Sequence, residues 1–171
     1  STLFPYTTLF RSDLDEDPAT NLKSLAAAKK VEVGDLVACI LDRPRHDELI
    51  AKSREAGARI MLIGDGDVSG VIATSEVEAG VDIYMGVGGA PEGVLAAAAL
   101  RCIGGQMQGR LVFRNDDERG RGARLGITEF DRKYNLHELA GGEVMFAATG
   151  VTSGAMLRGV RRFRGGASTH S

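Results

Sequence analysis

An α/β fold, with a mostly parallel mixed sheet flanked by helices, is what the sequence predicts, and three features carry the prediction. Short apolar runs alternate with charged or alanine-rich stretches of helical period. A turn rich in glycine, proline or aspartate follows each run. The unit occurs three times in tandem, which implies parallel strands joined by crossover helices.

The opening residues, STLFPYTTLFRS, hold neither a helical nor a strand period, so 1–12 reads as a segment foreign to the rest, with a strand at 6–10 as the alternative. Asp17-Pro18 then opens a helix to Lys30, because proline suits a first turn and Lys29-Lys30 suit the negative helix end. The apolar run 36–42 (LVACILD) predicts a strand, and the amphipathic stretch 46–56 a helix closed by Gly57. Next come a strand at 59–63 (RIMLI), a turn at 64–67 and a helix over 68–78. A strand at 81–85 (VDIYM), a glycine-rich turn at 86–89 and an alanine-rich helix over 91–103 complete the series.

Past Gly104-Gly105 the signals weaken. They give a strand at 108–113, a charged segment at 115–124 read as a solvated face, a short helix at 136–139 and a buried strand at 144–148 (VMFAA). Residues 157–171 carry Arg158, Arg161, Arg162 and Arg164 without a stop signal, as though cut within an element. Residues 13–171 are therefore read as one α/β portion, incomplete at both ends.

With 171 residues, 43% hydrophobic and 26% charged, the chain suits one globular domain. Its 21 basic and 23 acidic residues leave a net charge of −2, which disfavours nucleic acid or an anionic membrane as partner. Cys39 and Cys102 each lie in an apolar run, so buried free thiols in a reducing cytoplasm are expected rather than a disulfide or a zinc site. No apolar stretch approaches the roughly 20 residues that span a bilayer, and the first residues lack signal-peptide character.

Ligands of open parallel sheets gather at the carboxyl ends of the strands, and the unusual residues of this chain stand there. In Asp42-Arg43-Pro44-Arg45-His46 the proline biases Arg43 toward an extended form and separates two guanidinium groups able to grip phosphate. The alternative is that Arg45 and His46 merely decorate a helix start, although cations there oppose the dipole. Gly64-Asp65-Gly66-Asp67 sets two carboxylates around a glycine, a spacing for sugar hydroxyls or for a divalent ion, or simply an N-cap at Asp67. It is no EF-hand, since Ser69 and Gly70 stand where further acidic residues belong.

The third turn, from Gly86 through Gly89 to Pro91, Glu92 and Gly93, crowds backbone amides at a helix start where phosphate can bind. Pro91 replaces the third glycine of a dinucleotide fingerprint and no Walker lysine follows, so a nucleotide is disfavoured. Glu92 pairs with the helix dipole, and alone it cannot fix a hard cation that takes roughly six or more oxygens. The hydroxyl-rich run Thr149 to Gly154 faces a ligand or caps a helix. His46, His137 and His170 lack metal-ligand spacing and read as surface or structural. No Ser or Cys nucleophile stands beside a recognisable base.

Together, LDRPRHDELI, GDGDVSG, YMGVGGAPEGVLAAAALRCIGGQMQGRL and FAATGVTSGAMLRGV resemble the C-terminal half of the class II (GlpX-type) fructose-1,6-bisphosphatases, in order from Leu14 to the last residue. The resemblance implies the layered α/β sandwich of the lithium-sensitive sugar phosphatases and hydrolysis of the 1-phosphate of fructose 1,6-bisphosphate with Mg²⁺ or Mn²⁺. Some members also take sedoheptulose 1,7-bisphosphate. It places substrate contacts on Arg43, Pro44, Arg45, Asp65, Gly66, Asp67 and Gly89, and a metal ligand on Glu92. The other metal carboxylates belong to an N-terminal half that this chain lacks, so the chain alone is expected to be inactive. The implied partners are a sugar bisphosphate, that N-terminal half and a second copy in a homodimer. A non-catalytic sugar-phosphate binding module and, more remotely, a nucleotide-binding domain are the competing readings.

Overall fold

The computed structural model describes residues 12–154 and 156–171; the alternative strand at 6–10, and all of the segment 1–12 but Ser12, lie outside them. Helix α1 (Pro18–Lys29) starts as read: the Asp17 carboxylate accepts the Ala19 N–H at 2.9 Å and Pro18 stands in the first turn. Lys30 closes it in the left-handed region, φ 58°. Then follow β1 (Val37–Leu41), α2 (Asp47–Glu55), β2 (Arg59–Ile63), α3 (Asp67–Ala73), β3 (Ile83–Tyr84) and α4 (Ala90–Ile103).

Strand β1 is central, and both its neighbours run parallel to it, in the order β2-β1-β3. It pairs with β2 from Val37↔Arg59 to Leu41↔Ile63, and with β3 at Ala38↔Ile83 and Cys39↔Tyr84. Hydrogen bonds from Asp82 N–H to Val37 O (2.9 Å) and from Met85 N–H to Cys39 O (3.1 Å) extend that second ladder over most of the expected strand.

Side chains of β3 alternate between two cores. Ile83 and Met85 pack with Leu22, Leu25, Ala26, Leu36 and Ala38, whereas Tyr84 packs with Val71, Ala96 and Leu100. Helix α1, with α2 beside it, therefore covers one sheet face, and α3 with α4 the other. Gly70 allows the close approach of α3: a Cβ there would lie 2.9 Å from Ile63 Cδ1 and 3.2 Å from the Tyr84 ring.

Further on stand β4 (Gln108–Arg110), α5 (Asp116–Arg124), β5 (Lys133–Asn135), α6 (Leu136–Leu139), β6 (Arg161–Phe163) and β7 (Gly166–Ser168). The pairs β4-β5 and β6-β7 are antiparallel two-stranded ribbons separate from the parallel sheet, rather than members of one mixed sheet.

Several expectations are corrected. The helix read over 68–78 ends at Ala73, where the Thr74 hydroxyl bonds back to Val71 O at 2.7 Å and a 3-10 turn, Val77–Ala79, follows. The strand at 108–113 stops at Arg110, and Phe113 instead packs edge-on against Phe130 with centroids 5.2 Å apart. The solvated segment at 115–124 is the helix α5, capped by Asn115 accepting the Glu118 N–H. Residues 144–148 form no strand. Val144, Phe146 and Ala148 are half-buried and Met145 and Ala147 exposed, but no described strand runs alongside, because alternation specifies a buried face and not a ladder partner. The arginine-rich end at 157–171 holds the β6-β7 hairpin, turned at Gly165 with φ 94°. Cys39 is buried as expected, but Cys102 is exposed; the buried face of α4 runs through Ala96, Ala97, Ala99 and Leu100, and position 102 falls off it.

The segment before α1 is tied to the first ribbon by charge. Lys133 Nζ meets Asp13 (2.6 Å) and Asp15 (2.7 Å), and Arg110 meets Asp15 (2.5 Å). Hydrogen bonding from Lys133 is the chief reason that both carboxyls titrate below their ordinary 3.8.

Two outcomes are expected. Leu100→Ala, at a fully buried position, lowers unfolding free energy by about 2–5 kcal/mol in urea titration; a loss under about 1 kcal/mol would place Leu100 outside the core. Because Asp13 and Asp15 have lowered folded values, their contribution is complete above the ordinary carboxylate range and disappears as pH falls through those values. NMR contacts between Asp13 and Lys133 are thus expected at neutral pH and lost in acid once both carboxyls are protonated; contacts that persist after that protonation would contradict the ion-pair account.

Candidate functional site

Parallel partners on both sides of β1 send the turns after β1, β2 and β3 out at the same sheet edge. In the first turn, Pro44 opens a 3-10 turn, Pro44–His46, and holds Arg43 extended at φ −143°, ψ 143°. The two guanidinium groups diverge. Arg43 donates to the carbonyls of Asp42 (2.7 Å) and Gly64 (2.6 Å), reaching the turn after β2. Arg45 Nε donates to the Val87 carbonyl (2.9 Å), reaching the turn after β3. Both side chains are exposed and leave the start of α2.

His46, between those arginines and α2, is 1% exposed. Its Nδ1 lies 2.8 Å from the Leu41 carbonyl and its Nε2 2.9 Å from the Val87 nitrogen. A carbonyl only accepts and an amide only donates, so Nδ1 carries the proton and Nε2 is bare. His46 is thus structural, one of the two outcomes read for it. His137 is exposed, and His170 accepts the Arg158 N–H at 3.0 Å.

In the second turn Gly66, with φ 81°, precedes α3, and Asp67 is the first helical residue. Asp67 makes no side-chain cap, which corrects the plain N-cap alternative. Its carboxylate crosses to the third turn instead: a Cβ on Gly88 would collide with Asp67 Oδ2 and lie 3.9 Å from Glu92 Oε2. Asp65 is exposed beside Gly64, to which Arg43 bonds.

In the third turn Glu92 reaches back from the first turn of α4 and accepts the Gly89 N–H at 3.0 Å. A Cβ on Gly89 would lie 2.8 Å from that carboxylate. The amides of Val87 and Gly89 are therefore engaged by His46 and Glu92, which narrows the amide cluster expected to hold phosphate. Thr149 pairs with the Ser171 hydroxyl at 2.9 Å and Gly150 with the His170 carbonyl, so the helix-cap reading of that hydroxyl run fails.

Tyr84, at the end of β3, adds a group that sequence reasoning read only as a strand residue. Its hydroxyl is buried and has no hydrogen-bond partner among the described residues. Burial first, and then the Asp67 carboxylate, pushes the phenol well above its ordinary value, so it remains a proton donor. Only its position one residue before a turn's approach could have flagged it.

Asp67 and Glu92, flanking Gly88, are hard oxygen donors of the kind Mg²⁺ or Mn²⁺ accepts. Among the described residues no three His, Cys, Asp or Glu gather as a metal-binding group.

Residues 10–171 match the family described as bacterial fructose-1,6-bisphosphatase, glpX-encoded. The chain belongs to that family. It is 43% identical, over 93% of its length, to the D-fructose 1,6-bisphosphatase class 2/sedoheptulose 1,7-bisphosphatase of Synechococcus elongatus, and 45% identical over the same share to those of Microcystis aeruginosa and Crocosphaera subtropica. It spans about half the length of these curated relatives, 50% of each. Family and relatives alike are phosphatases. No helix among the described residues is long and apolar enough to cross a membrane.

Gly88→Ala tests how closely the turns approach. The fold is expected to survive, with a melting shift within about 4 °C, while NMR resonances of Asp67 and Glu92 move. Shifts confined to residues 87–89 would contradict the contact between the second and third turns.

Proposed function

We propose that this chain forms the sugar-bisphosphate-binding, C-terminal half of a metal-dependent phosphatase that hydrolyses the 1-phosphate of fructose 1,6-bisphosphate to fructose 6-phosphate and phosphate. One observation carries the reading: the Arg43-Pro44-Arg45 turn reaches into both neighbouring turns, so two guanidinium groups, the Asp65-Gly66-Asp67 carboxylates and the Gly86-to-Gly89 turn share one sheet edge. Family membership and the relatives' names support it. The three-strand core and its two helix layers would belong to the larger sandwich of the sugar phosphatases.

Charge allots the roles. Arg43 and Arg45 anchor the phosphate that does not react, since guanidinium holds a phosphate without changing protonation. Asp65 and Asp67 repel bare phosphate and accept hydrogen bonds from sugar hydroxyls. Gly89 lets backbone approach the ligand. Glu92, with Asp67 nearby, would hold Mg²⁺ or Mn²⁺ together with carboxylates of the half not spanned here. A divalent ion there neutralises charge on the transferring phosphoryl group and lowers the pKa of an attacking water. Sedoheptulose 1,7-bisphosphate presents the same phosphate and hydroxyl groups to these turns, so dual specificity, as in the relatives' names, is the natural extension.

The non-catalytic binding module remains the second reading, favoured by the lack of a three-residue metal group among the described residues. One set of assays separates the two. The chain is titrated calorimetrically with fructose 1,6-bisphosphate, then mixed with the N-terminal half of a relative and Mn²⁺ or Mg²⁺ while phosphate release is followed. Binding by the chain alone, with release only in the mixture, is expected. Arg45→Ala should weaken binding by about tenfold or more, as loss of a charged hydrogen bond does. Neither heat nor NMR shifts at millimolar ligand would remove both readings, and binding without release in any mixture would leave the module.

A further inference from the structure

We infer that His46 is a positioning residue for this site, fixing the glycine-rich turn after β3 to the arginine-bearing turn after β1. Consecutive residues grasp both backbone groups of Val87: Arg45 Nε donates to its carbonyl and His46 Nε2 accepts its N–H. The opposite ring nitrogen of His46 donates to Leu41 O, the last carbonyl of the central strand. The imidazole thus joins the end of β1 to a turn beyond the point where the β1-β3 ladder has run out, since the last bond there comes from Met85 N–H.

Two surroundings make the link specific. The ring is 1% exposed, so water does not stand in for either partner, and a buried ring nitrogen left unpaired is costly. Gly86 lies against it, and a Cβ there would sit 3.3 Å from both Cε1 and Nε2. The donor at Nδ1 and the acceptor at Nε2 are fixed by Leu41 and Val87, and the polarity of the link cannot be reversed. Without the Val87 anchor, Arg45 loses its carbonyl partner, and Gly88 and Gly89 lose their placement beside Asp67 and Glu92. That ligand affinity depends on this placement rests on the functional reading above.

The test uses two variants that split the ring. His46→Asn keeps a donor near Nδ1 and loses the acceptor for Val87; His46→Gln places an amide oxygen near Nε2 and restores that acceptor. In the unmodified chain, ¹⁵N NMR is expected to show Nδ1 protonated and the Val87 amide slow to exchange with solvent. H46N should speed Val87 exchange and weaken fructose 1,6-bisphosphate binding, each by about tenfold or more, and H46Q should recover both to within about threefold. A protonated Nε2 in the unmodified chain overturns the inference, as does H46N binding as tightly as the parent, or H46Q losing as much as H46N at equal melting temperature. Should the unmodified chain bind no sugar bisphosphate, the functional reading fails by itself, and the tautomer and exchange results still decide the link. Should H46N not fold, the tautomer and H46Q decide.

Discussion

The parallel ladder on each side of β1 is the constraint from which the site follows. Five consecutive register pairs with β2 and two with β3 fix the strand ends at comparable height, so the three turns that follow cannot leave by different edges. Helices pack on both faces of β1 and β3, so the carboxyl ends of the strands are where the three turns gather. Arg43 and Arg45 then bridge gaps of one strand spacing each, roughly 5 Å, well within the reach of a guanidinium stem. A central strand with a single neighbour would have left one of them without a turn to reach.

The links between turns are backbone-directed, and this limits what each can do. Arg43, Arg45 and His46 use main-chain carbonyls and an amide of the neighbouring turns as partners. Such partners are insensitive to the side chains at 64 and 87, so the turns can be held in place without using the side chains proposed to face a ligand. Asp65 illustrates this: exposed, and adjacent to the Gly64 carbonyl that Arg43 grips. Exposed guanidinium groups that already donate to carbonyls are pre-oriented, which would reduce the ordering cost of the phosphate binding proposed for them.

Much of the layered core was legible because each of its elements carries its own local signal. Pro18 and Lys30 bracket α1, Gly57 closes α2, and the run 60–63 within β2 is apolar. The candidate turns were legible for the same reason, since proline, glycine and paired charges act over three or four residues. What failed was whatever depends on a distant partner. Val144 to Ala148 has a strand's alternation with no strand beside it, and Arg161 to Phe163 pairs across a tight turn despite two adjacent charges. His46 is the sharpest case. A histidine after two arginines at a helix start reads equally as surface or structural, and only the fold reveals the carbonyl at 41 and the amide at 87 that decide between them.

On the proposed reading, charge at the three turns gives added cations a part in strengthening whatever the chain binds alone. Arg43 and Arg45 contribute two positive charges against three carboxylates, Asp65, Asp67 and Glu92, which leaves one net negative charge before any ligand arrives. A sugar bisphosphate brings roughly three to four more, since each phosphate carries about −1.5 to −2 near neutrality. Hydrogen bonds from backbone amides would orient an anion but would not cancel a surplus of that size. On that reading the arginines would compensate one phosphate locally, and a second placed beside Asp67 and Glu92 would face carboxylates. At that end the carboxylates make sense as ligands that concentrate divalent cations, whose charge reverses the local sign and turns repulsion of the reacting phosphate into attraction.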